Sequence, residues 1–133
     1  MTIQVPVSWG ELIDKIAILE IKSERISDAA KLVNVRTELT ALAGVRDANL
    51  PSDQKVLADL ATLTADIKKV NEALWEIEDD IRDCERDKDF GPRFVELARS
   101  VYKTNDRRAA LKRDINTLLG SELVEEKSYQ SYE

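Results

Sequence analysis

Two groups of side chains could do chemistry in this 133-residue chain, an arginine set in a row of apolar residues and a run of carboxylates. Phe94, Leu97, Val101, Thr104, Arg108, Leu111, Ile115 and Leu118 recur at spacings of three and four, which puts Thr104 and Arg108 on the buried seam of a helix. An arginine there must find a partner or leave the core. Folding the chain antiparallel about Gly91 sets Arg108 near position 74 and Thr104 near position 78. Asn71 and Glu78 then come within reach. Folding the first segment back about Ala48 brings Glu20 and Glu24 to the same level. The expectation is a polar layer of Arg108, Glu78, Asn71, Thr104 and Asn105, with Glu20 or Glu24 as further partners. Such a layer either fixes helix register or opens to solvent and binds a small anion through Arg108.

Residues 72–89 hold nine acids against three bases, and residues 93–113 hold seven bases against two acids. A turn at Phe90-Gly91-Pro92 lays the two segments side by side, so the expectation is that they neutralise each other within the molecule rather than bind nucleic acid. Glu76-x-x-Asp79 matches half of the magnesium motif of all-α nucleotide pyrophosphohydrolases, but no E-x-x-E precedes it between about positions 45 and 64. Asp14 through Arg25 loosely resembles the first helix of chorismate mutases, yet residues 44–49 lack the charged cluster of their second helix. A chain without histidine lacks the commonest general base and metal ligand. Its one cysteine, Cys84, falls on a seam and reads as core. No catalytic residue, metal or cofactor is expected.

Long helices must position these groups. Val56, Leu60, Leu63, Ile67, Val70, Leu74, Ile77, Ile81 and Cys84 run through four heptads, a coiled-coil signature, in a helix expected from about 53 to 88. A second runs from 92 to 119, opened by Pro92 and closed by Gly120. The first arm, about 8–44, starts at a Ser8/Glu11 capping box and loses register between Ile26 and Leu32, so a kink or break is expected near 26–29. A short extended segment, 2–7, precedes it, and a polar tail, 121–133, follows the last helix. The predicted fold is one all-α domain, an up-down-up antiparallel bundle of three coiled-coil-like arms.

The net charge of −6 disfavours nucleic acid and anionic membrane as partners. No apolar run approaches the length of a membrane span, and no signal peptide is seen, so a cytoplasmic location is expected. The first helix is apolar on nearly every side. Leu12, Ile16 and Leu19 serve the bundle, whereas Ile18 and Ile21, between Asp14 and Arg25, need a second cover. A homodimer is the preferred cover, with the N-terminal segment or the tail as alternatives.

Four segments carry a resemblance. They are Ser8 to Ile16 with Ile18 to Lys22, then Asn71 to Asp79, Val101 to Ala109, and Glu125 to Tyr129. Together they resemble a bacterial family of small helical proteins described as a domain of unknown function, which implies no activity, cofactor or catalytic residue. The function expected from the sequence is a non-enzymatic interaction or scaffold module that self-associates. The alternative is a bundle, or an enzyme, that uses the polar layer to hold a small molecule.

Overall fold

A computed structural model describes residues 1–133 as four α-helices and no strand: α1 (Trp9–Arg25), α2 (Ala29–Asn49), α3 (Gln54–Arg86) and α4 (Pro92–Leu119). Each start has a local cause. The side chains of Ser8, Asp28 and Asp53 accept hydrogen bonds from the amides of Glu11, Lys31 and Lys55, while α4 opens on Pro92 at its first turn. α4 closes at Gly120, whose left-handed φ of 62° carries its N–H onto the Asn116 and Thr117 carbonyls. Gly44 ends nothing. α2 continues through it to Asn49, where Leu50-Pro51 stops the helix.

The break expected near 26–29 is present, but it does more than kink an arm. Ile26, Ser27 and Asp28 leave the helix, and α2 doubles back, so that Val45 and Asn49 meet Trp9 and Leu12 at the start of α1. A continuous rod would hold these ends about 50 Å apart. Four helices therefore stand where three arms were expected.

This return makes α1 the hub, in contact with α2, α3 and α4, and explains why its apolar residues point in so many directions. The core joins Ile13 and Ala17 of α1 to Leu60 and Ile67 of α3 and Ile115 of α4, covered by Trp9, Leu63, Leu111, Leu118 and Leu119. Each such isoleucine contributes roughly 1.5–3 kcal/mol by burial. α2 touches α1 alone and buries only Val35. No helix is long and apolar enough to cross a membrane.

The amino end of α1 is seated on the carboxyl end of α4. The first amides of a helix lack intrahelical partners. Here Trp9 N donates to Ser121 Oγ at 3.2 Å, Gly10 N to Asn116 Oδ1 at 2.6 Å and Glu11 N to Ser8 Oγ at 3.1 Å. Gly10 is required by contact rather than by backbone angle, since a Cβ there would overlap the Lys112 carbonyl, with Lys112 C at 2.9 Å. The reciprocal half of the capping box does not form, because the Glu11 carboxylate turns to Lys112.

Candidate functional site

The fold-back at 26–28 also sets which residues of α1 face Arg108. Asp14, 1% exposed, accepts from Arg108 Nε at 3.2 Å and Nη2 at 2.9 Å, both on Oδ2, while its Oδ1 accepts from Asn71 Nδ2 at 2.8 Å. Buried carboxylates demand such partners, and three donors from two helices meet this one. Arg108 Nη1 makes a long contact of 3.5 Å to Asn105 Oδ1. Three of its five guanidinium N–H groups are thus used, and its side chain is 29% exposed.

Of the residues expected around Arg108, Asn105 contacts it and Asn71 shares Asp14 with it, and the carboxylate that holds it is Asp14. Glu78 bonds Arg82 one turn along its own helix at 3.3 Å, and Glu20 and Glu24 both face Lys68, at 3.7 and 2.6 Å. The expected levels came from folding the first arm once, about Ala48. The additional reversal at 26–28 presents Asp14 instead. Thr104 is half-buried in α4.

The second stripe of α1 is not a bare face. Asp14 and Ile21 are each 1% exposed within the chain and Ile18 is half-buried, so two of the four expected interface residues are inaccessible to another copy. Arg25, the fourth, pairs with Glu72 and Glu76 and lies 5.9 Å from the centre of the Trp75 ring. Neither the tail nor the N-terminal segment covers the stripe. Instead α3 and α4 stand across from it and leave an open groove of about 430 Å³.

The groove has an apolar floor of Ile18, Ile21, Leu74 and Trp75. Asn71, Asn105 and Arg108 lie along it, and Lys22, Glu78 and Asp79 complete it. Asn71, Leu74, Trp75 and Glu78 are one face of α3 by their helical spacing. Lys22 and Asp79 have no ion-pair partner within the chain, although most charged residues here do. All ten residues of the groove fall in three of the segments that carried the family resemblance.

A second polar cluster adjoins the first. Lys112, with 8% of its side chain exposed, donates to Glu11 at 2.7 Å and to Glu125 of the tail at 3.0 Å. Burial alone would lower its pKa, but the hydrogen bonds to Glu11 and Glu125 outweigh that and hold it above the ordinary lysine value. Burial likewise pushes Glu11 upward, and Lys112 reverses the sign, leaving Glu11 below the ordinary glutamate value. The tail continues back along α4, with Glu126 on Arg113 at 2.8 Å and the Tyr132 hydroxyl donating to Asp106 at 2.8 Å.

The charge pairing expected between α3 and α4 is mostly absent. One ion pair joins them, Arg93 to Asp80 at 3.9 Å, while Arg108, Lys112 and Arg113 are answered by α1 and the tail. The course of the tail escaped sequence reasoning because its contacts, apart from the edge-on packing of Tyr132 on Tyr102, are ion pairs and hydrogen bonds without apolar periodicity. Cys84 is buried and accepts a long contact of 3.6 Å from Arg93 Nη1. No group of three or more potential ligands could hold a metal ion.

No curated protein and no solved structure matches the chain. A family model described as a family of unknown function, DUF6165, matches residues 3–132, and the chain belongs to that family.

Proposed function

We propose that this protein is a non-catalytic binding module whose groove takes a small ligand with an acceptor group on Arg108. One observation carries the reading. An arginine is oriented by a buried carboxylate, keeps N–H groups unused, and lines a cleft floored by Ile18, Ile21, Leu74 and Trp75. A few convergent polar groups over an apolar surface are the usual makeup of a ligand site, and the volume is within the usual range. Holding the guanidinium in place beforehand lowers the ordering cost of binding. No histidine, cysteine, serine or threonine lines the groove, which favours binding over catalysis.

The test is a fragment screen by ligand-detected NMR against the wild-type chain and the Asp14→Asn/Arg108→Met double variant, which removes both charges together. Fragments bearing a neutral carbonyl or another hydrogen-bond acceptor should bind the first and not the second. Equal binding to both would refute the assignment of Arg108.

Self-association is a second reading with its own support. The accessible surface is 9067 Å², whereas a compact monomer of this mass exposes about 7000 Å². α2, packed on α1 alone with Val33 and Val45 exposed, is the natural place for a second copy or another protein to pack. In this reading the module works as a dimer in a bacterial cytoplasm.

A further inference from the structure

We infer that the groove ligand is an extended zwitterion two to three residues long, a short apolar peptide with both ends free. The inference rests on the groove-binding reading above and adds the ligand's class.

Charge balance argues against a simple anion. Asp14 already neutralises Arg108, and Lys22 is outnumbered by Glu78 and Asp79 on the same groove. A bare phosphate or carboxylate would enter a site with no net positive charge. A ligand that also carries a cation avoids that cost, because Asp79 has no partner and the only partner of Glu78 is the exposed Arg82.

Spacing sets the length. Arg108 and Asn71 share Asp14, so they mark one end of the groove. Glu78 and Asp79 lie seven and eight residues further along α3, about 10–12 Å by helical rise. The amino and carboxyl ends of a single amino acid are only roughly 2.5 Å apart, too close to serve both ends. An extended peptide of two to three residues spans about 7–11 Å. Its carboxylate then accepts from Arg108, its ammonium lies at Glu78 and Asp79, and its apolar side chain rests on Leu74 and Trp75. Lys22, unpaired on the α1 rim, can donate to a peptide carbonyl between them.

The experiment is calorimetric titration of the full chain with four probes: Ala-Leu-Ala, its N-acetyl form, its C-terminal amide, and free leucine. The free tripeptide should bind tightest. Amidation should weaken binding by about ten- to a hundredfold, as loss of a charge-assisted bond does, and acetylation by about fivefold, as loss of an exposed ion pair does. The Glu78→Gln/Asp79→Asn variant, altered only at exposed side chains, should bind the free and acetylated peptides equally. Acetylated peptide or free leucine binding the wild type as well as Ala-Leu-Ala does would overturn the zwitterion. So would failure of every peptide while screened fragments still depend on Arg108, and the groove reading would then stand without this ligand class. If neither peptides nor fragments distinguish wild type from the Asp14→Asn/Arg108→Met variant, both inferences fall.

Discussion

Arg108 places two N–H groups on a single oxygen of Asp14, at 2.9 and 3.2 Å, so the other oxygen is left free for Asn71. One carboxylate thereby ties α1, α3 and α4 together at the head of the groove. The burial is unequal, since Asp14 is 1% exposed and the Arg108 side chain 29%. A stranded arginine can swing into water, and a stranded Asp14 cannot.

That inequality predicts the order of single substitutions. Arg108→Met should cost about 3–5 kcal/mol at neutral pH and Asp14→Asn less, because the amide still bonds Asn71 and the freed guanidinium hydrates. The Asp14→Asn/Arg108→Met variant should recover most of the loss. Urea unfolding of the four proteins gives the coupling directly, and additive effects would show that the pair is not a unit.

The two clusters differ in how far they could be read from sequence. Heptad spacing correctly put Ile67, Val70, Cys84 and Ile115 inside, because apolar periodicity reports burial whatever the topology. It singled out Arg108 as needing a partner for the same reason. It could not identify Asp14, since a partner depends on helix levels, and those depended on a three-residue turn at 26–28. Lys112 and Asn116 were missed as buried polar residues because their partners, Glu125 and the Gly10 amide, come from the tail and the far end of the chain.

Stability should fall at both ends of the pH range through the Lys112 cluster. Lys112 is raised from its ordinary 10.5, so its contribution is complete below that value and is lost as pH climbs through its folded pKa. Glu11 is lowered from 4.5, so its contribution is present above 4.5 and is lost as pH drops through its folded pKa. Melting temperature followed across pH should therefore show a plateau between these limits. Lys112→Met should flatten both edges while costing only about 1 kcal/mol at neutrality, because Glu11 and Glu125 are partly exposed and can hydrate. Unchanged edges in that variant would assign the pH dependence elsewhere.

Gly10→Ala offers a case where helix propensity gives the wrong sign. Propensity favours alanine within a helix by about 1 kcal/mol. Contact with the Lys112 backbone, which cannot rotate away, should instead destabilise the protein by about 1–3 kcal/mol. A chemical denaturation curve showing the variant more stable than wild type would mean that α1 does not sit on α4 this closely.

Self-association predicts a mass of twice 15.0 kDa by light scattering and a melting temperature that rises with protein concentration. A mass of 15.0 kDa that holds at every concentration would remove the second reading and leave the groove untouched.

The chain's two tryptophans make the most direct test of the groove. Trp75 lines it, whereas Trp9 sits at the start of α1 beside Val5, Val7 and Val45. In a two-dimensional NMR spectrum their indole N–H signals report separately on the two places. Titration with the strongest acceptor-bearing fragment should shift the Trp75 signal in a saturable way, leave Trp9 in place, and have no effect in the Asp14→Asn/Arg108→Met variant. A shift confined to Trp9, or a Trp75 shift that persists in that variant, would contradict the assignment of the Arg108 groove as the binding site.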